Sequence, residues 1–149
     1  WLFLGELLLD IELDYDPPFY QDLCGNCTAC LDSCPTQALE SYKIDAKKCI
    51  SYLTIEHRGE FHPSNADLDG WIYGCDICQE VCPWNDKFEH VSDLIDFQPR
   101  KEILNFEDDD WDNLSVDEYT SIFKNSPVKR TKYKGLKRNI NQNKRKAIL

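Results

Sequence analysis

The stretch Cys24-Gly25-Asn26-Cys27-Thr28-Ala29-Cys30-Leu31-Asp32-Ser33-Cys34-Pro35 spaces its cysteines as C-x2-C-x2-C-x3-C-P. Cysteines separated by two residues let one tight loop wrap three corners of a cubane iron–sulfur cluster, and the cysteine before the proline then reaches a second cluster. The complementary half lies downstream, with Cys49 alone and then Cys75-x2-Cys78-x3-Cys82-Pro83. The pattern assigns Cys24, Cys27, Cys30 and Cys82 as metal ligands of one [4Fe-4S] cluster. Cys34, Cys49, Cys75 and Cys78 are assigned to the other. All eight cysteines are used, and the crossed assignment holds the clusters close enough to exchange electrons.

Two other cysteine chemistries fit less well. A four-cysteine zinc site takes its ligands in pairs from separate turns, which leaves Cys30 and the Cys34-Pro35 placement without a purpose. A disulfide framework suits small secreted scaffolds, whereas this chain is larger and shows no secretory segment. His57, His62 and His90 stand isolated, and with both ligand sets complete they read as surface or loop residues.

The chain has 149 residues, 42% hydrophobic and 30% charged, which suits a globular protein of one domain or one small domain with appendages. It begins at Trp1 and contains no Met, and so is expected to be a piece of a longer polypeptide. The net charge of −10 conceals an asymmetry: ten of the 17 basic residues lie between Lys124 and Leu149, a stretch without Asp or Glu. An acidic body repels polyanions and a basic tail attracts them, so a nucleic acid is expected at the C-terminal end.

The apolar run Trp1 to Leu9 and the alternating Asp10-Ile11-Glu12-Leu13-Asp14 predict a buried strand passing into a half-exposed one. The run is too short to span a membrane. Asp16-Pro17-Pro18 ends it. Thr28 to Ser33 has room for one helical turn. Asp45 is a candidate N-cap for a helix through Cys49 to Glu56, closed by Gly59. Glu60 to Gly70 reads as a polar loop, Trp71-Ile72-Tyr73 as a strand, and Ile77 to Val81 as another single turn. From Trp84-Asn85 to Arg100 the order is weak, and the acidic run Glu107 to Asp110 reads as a solvated loop. Ser115-Val116-Asp117-Glu118 is a capping box before the apolar stripe of Tyr119, Ile122 and Phe123. Asn125-Ser126-Pro127 stops that helix, and a basic one starts at Val128. Trp71, Trp84 and Trp111 are expected to supply packing.

A plain two-cluster ferredoxin keeps the counterparts of Cys49 and Cys75 two residues apart, and here twenty-five residues intervene. With that insertion the chain closely resembles the epoxyqueuosine reductases, cobalamin-dependent iron–sulfur enzymes of queuosine tRNA modification. The resemblance is carried by Trp1 to Glu6, Cys24 to Thr36, Asp45 to Glu56, Gly74 to Asn85 and Ser126-Pro127-Val128-Lys129-Arg130. It covers the chain to about Asn139, and Asn139 to Leu149 departs from it.

The resemblance implies an α+β fold, a two-cluster ferredoxin-like domain with short helices and few strands, followed by a helical C-terminal segment. Residues 1–16 would be terminal strands of a missing cobalamin-binding domain, 17–90 the two-cluster domain, and 91–149 a linker and basic segment. It implies two [4Fe-4S] clusters plus cobalamin, approached by Ser51, Cys75 and Asp76. The catalytic acid lies in the missing part, so no residue here is catalytic. tRNA phosphates would meet Lys129 and Arg130, and an external donor would supply electrons to a cytoplasmic monomer with no membrane contact. A corrinoid reductive dehalogenase and a standalone ferredoxin-type carrier are the competing readings.

Overall fold

The computed structural model describes Leu2 and residues 4–63 and 67–147, with side chains through Lys144. Its helices are α1 (Ala29–Asp32), α2 (Ile50–Ile55), α3 (Ile77–Glu80), α4 (Pro83–Phe88), α5 (Asp108–Asn113), α6 (Val116–Ile122) and α7 (Lys132–Ala147). One hairpin, β1 (Leu39–Glu40) and β2 (Lys43–Ile44), pairs antiparallel with Leu39 opposite Ile44. The fold is α+β and mostly helical.

The two strands are joined by Ser41-Tyr42, with Tyr42 at φ 58°. Two-residue hairpin loops need such left-handed residues, and the absence of Gly or Asn at this turn hid the hairpin from the sequence.

The N-terminal strands are not formed among the described residues, and Trp1 and Phe3 lie outside them. Leu4 is 96% exposed and Leu8 98% exposed. A strand needs a neighbour for its N–H and C=O groups, and no described segment of the chain offers one here. Trp71-Ile72-Tyr73 is not a strand either, because its carbonyls are taken by side chains. Asn143 Nδ2 donates to Trp71 O at 3.0 Å and Asn139 Nδ2 to Ile72 O at 2.9 Å.

Two helix boundaries also differ from expectation. Asp45 caps a turn instead of a helix: Lys47 N–H donates to its Oδ1 at 3.0 Å and Lys48 N–H to its carbonyl at 3.0 Å. α2 starts after Cys49, which is therefore its N-cap. The acidic run is the start of α5, with the Glu107 N–H donating to Asp110 Oδ2 at 2.9 Å. Three carboxylates in a first turn face the positive end of the helix dipole, so a charge run that looked solvated is a helix N-terminus. α4 was also unanticipated, although Pro83 at its first position is a recognised start signal.

The apolar core sits in the C-terminal part. Leu114, Tyr119, Phe123, Leu136 and Ile140 are buried together, with Ile72, Tyr73, Phe106, Trp111 and Tyr133 packed around them. The capping box of α6 forms as expected: Ser115 Oγ accepts from Glu118 N–H at 3.2 Å and Glu118 Oε2 accepts from Ser115 N–H at 2.8 Å. Arg100 secures the far end of α6, donating to Ile122 O at 2.8 Å and Lys124 O at 2.9 Å. After a 3-10 turn at Pro127–Arg130, α7 returns across α5 and α2.

Candidate metal centre

The cysteine runs form tight turns closed by their own backbone. Cys27 N–H donates to Cys24 O at 2.9 Å, and Asp22 Oδ1 accepts from the N–H groups of Cys24 at 3.0 Å and Gly25 at 3.2 Å. Tyr42 of the hairpin donates to Asp22 Oδ2 at 2.8 Å. The Tyr42 hydroxyl and these two amides hold the exposed Asp22 carboxyl below its ordinary range. The hairpin, whose own sequence signal was weak, thereby braces the first cysteine loop.

α1 packs on α3, and this brings the distant runs together around two cavities. The first, about 580 Å³, is lined by Cys24, Cys27, Cys30, Cys78 and Cys82, with Leu23 and Trp84 at its rim. Trp84 Nε1 donates to Leu23 O at 3.0 Å, closing α4 over the first loop. The second cavity, about 40 Å³, is lined by Cys34, Cys49, Cys75 and Cys78, with Ala38, Ile44, Ile50 and Ile77. Cys78 and Leu39 line both, so the two cavities share a wall.

All eight thiols are free. Among the described residues, no three His, Cys, Asp or Glu converge closely enough to hold a single metal ion. The sulfur environments differ. Burial works to raise the Cys34 thiol, but hydrogen bonds from Ala38 N–H at 3.3 Å and from Thr36 outweigh it, and the thiol lies below its ordinary value. Burial pushes the Cys75 and Cys78 thiols up. In the first set, Cys24 and Cys27 are exposed.

Comparison with known proteins agrees with this geometry. Residues 23–85 match the family model described as a 4Fe-4S double cluster binding domain. The epoxyqueuosine reductase of Leadbetterella byssophila is 45% identical over 141 residues, 94% of this chain and 45% of that protein. That of Cellulophaga algicola is 46% identical over 140 residues, again 45% of its length. Among solved structures, epoxyqueuosine reductase from Bacillus subtilis superimposes with a TM-score of 0.76 at 32% identity, covering 87% of this chain and 35% of that one. The chain belongs to the epoxyqueuosine reductase family. It spans about half the length of the curated relatives it matches. Another solved member, covered over 34% of its chain at a TM-score of 0.68 and 31% identity, holds an epoxyqueuosine-modified tRNA-Tyr stem loop.

The remaining sites suggested by the family resemblance fall in two places. Ser51 lies in the first turn of α2 beside Cys49, and Asp76 is the exposed N-cap residue of α3 beside Cys75, where its side chain makes no capping bond. Each lies close in sequence to a cysteine that lines the second cavity. Lys129 and Arg130 lie in the 3-10 turn before α7. Lys129 Nζ stands 5.1 Å from the Tyr119 ring, and Arg130 pairs with Glu56 at the end of α2.

Part of the basic tail turns inward. Arg138 donates to Leu53 O at 2.9 Å, His57 O at 3.0 Å and Gly59 O at 2.8 Å, capping the C-terminal end of α2. Its guanidinium also lies 4.1 Å from the Phe61 ring. Lys137 donates to the carbonyls of Trp111 and Asp112. These two charges serve helix ends, and charge counting alone could not separate them from a phosphate-facing row.

Proposed function

We propose that this chain is the electron-relay part of an epoxyqueuosine reductase, carrying electrons through two [4Fe-4S] clusters toward cobalamin for reduction of epoxyqueuosine to queuosine in tRNA. The observation that supports the proposal is the grouping of the cysteines: Cys24, Cys27, Cys30 and Cys82 line one cavity, Cys34, Cys49 and Cys75 line the next, and Cys78 borders both. Apart from the shared Cys78, this is the division expected from the spacing.

The clusters, when bound, supply one-electron storage at two adjacent points. The chain's residues supply position and environment. The cysteine loops present thiolates, and the amide of Ala38 and hydroxyl of Thr36 favour the ionised form of Cys34. Cys78 and Leu39, which line both cavities, would keep the transfer distance between the clusters short. Cys75 lines the second cavity, and with Ser51 and Asp76, close in sequence to its cysteines, it would face cobalamin. We assign residues 17–90 to the cluster unit and 91–149 to a linker and helical, basic segment, in which Lys129 and Arg130 would meet tRNA phosphates. The exposed apolar arm of residues 4–14 is read as docking on a cobalamin-binding partner domain. No helix among the described residues is long and apolar enough to cross a membrane. We read the whole enzyme as cytoplasmic and monomeric, fed by an external donor.

The test is anaerobic reconstitution. The chain should bind about eight iron atoms and, as the electron-relay part alone, should fail to turn over epoxyqueuosine in tRNA. Binding of only about four iron atoms, or turnover by the chain alone, would count against the proposal.

A further inference from the structure

Three buried polar side chains lie between the second cavity and the C-terminal helix. Thr54 and Asn139 are 0% exposed and Thr131 1%. Thr54 occupies a junction. Its hydroxyl donates to Ile50 O at 2.8 Å and accepts from Gly74 N–H at 3.0 Å. Ile50 follows Cys49 and Gly74 precedes Cys75, so one hydroxyl joins the neighbours of two cysteines that border the same cavity. Gly74 sits at φ +76°, a conformation that a side chain would strain.

The tail holds the other side of this junction. The Thr54 carbonyl accepts from Thr131 Oγ1 at 2.8 Å and from Asn139 Nδ2 at 2.8 Å, and Asn139 also reaches Ile72 O at 2.9 Å. Asn139 Oδ1 is fixed in turn by Arg138 Nη2 at 2.8 Å. Gly135, one helical turn beyond Thr131, leaves room for its hydroxyl, since a Cβ there would stand 2.6 Å from Thr131 Oγ1.

We infer that Thr54, Thr131 and Asn139 are positioning residues for the second cluster, setting Cys49 and Cys75 from the C-terminal helix. The inference rests on the two-cluster reading. Simple satisfaction of buried backbone groups would explain any one of these bonds. It does not explain why the bonds converge on two segments, far apart in sequence, that meet at the second cavity through Cys49 and Cys75. Partners of metal ligands typically change metal affinity by about 10–100-fold when removed.

The experiment compares wild type, Thr54→Val and Thr54→Ser as anaerobically reconstituted full chains. Iron content, the paramagnetic resonance of each reduced cluster and the rate of iron loss to a chelator are read. Cys82→Ala identifies the phase that belongs to the first cluster. In Thr54→Val the second cluster should change its resonance and lose iron about tenfold faster, the first should keep wild-type behaviour, and Thr54→Ser should restore both readouts. Wild-type behaviour of both clusters in Thr54→Val, equal damage to both, or failure of Thr54→Ser to recover would overturn the inference. Should Thr54→Val not fold, Gly135→Ala disturbs Thr131 from the tail side and is judged by the same outcomes. A wild-type chain that does not hold about eight iron atoms would instead defeat the cluster reading.

Discussion

The cysteine-bearing part and the C-terminal part are built on different terms. Between Asp22 and Phe88 the helices are four to six residues long, and α1, α3 and α4 bury no residue. A continuous apolar cluster joins α5, α6 and α7, with Ile72 and Tyr73 of the cysteine-bearing part packed against it. Helices this short are not stable alone, so the first region depends on what its thiols bind and on the tail that braces α2. The second region supplies its own core.

The sharpest way to break this contrast is to remove the iron. On anaerobic chelation, amide exchange protection should fall across Cys24–Cys34 and Cys75–Phe88 while α5 to α7 stay protected, because ligand binding to the folded form stabilises only the part that binds. Equal loss of protection in both regions would mean that the tail has no independent core.

A smaller effect is expected from within the core. Leu136→Ala, at a residue 1% exposed, should destabilise the C-terminal unit by about 2–5 kcal/mol in denaturant titration, the usual range for a buried leucine. A change near zero would show that α7 is held by its polar bonds instead.

The smallest effect concerns the exposed face of the tail. Replacing Lys129 and Arg130 together with Ala should weaken tRNA binding and lower its salt slope by somewhat less than two. Because Arg130 also pairs with Glu56, Glu56→Gln serves as the control for loss of the ion pair alone. An unchanged salt series in the double variant would make that turn a structural feature only.

The same contrast explains what could be read from the chain. Cysteine spacing is a covalent pattern tied to cluster geometry, so a double cluster binding domain was legible from it, and the capping box at Ser115 announced α6. The hairpin was not legible, because Tyr42 takes a left-handed conformation without a turn residue to mark it. The N-terminal strands were overread, since apolar alternation says nothing about whether a neighbour is present. Glu107 to Asp110 was misread because a charge run and a favourable helix N-terminus have the same composition. Asn139 and Asn143 carried a signal that was missed. With Leu136 and Ile140 they fall at i, i+3, i+4 and i+7, so two amides occupy an otherwise apolar helical stripe. That placement marks side chains with buried backbone partners.

The central claim is the crossed sharing of cysteines between two clusters, and it is tested most directly by a pair of single substitutions. Cys82→Ala and Cys34→Ala are each reconstituted anaerobically and examined for iron content and by paramagnetic resonance. The account predicts that each retains about four iron atoms, that Cys82→Ala loses the signal of the cluster held by Cys24, Cys27 and Cys30, and that Cys34→Ala loses the other. If Cys82→Ala instead loses the cluster of its sequence neighbours Cys75 and Cys78, the crossed arrangement is wrong.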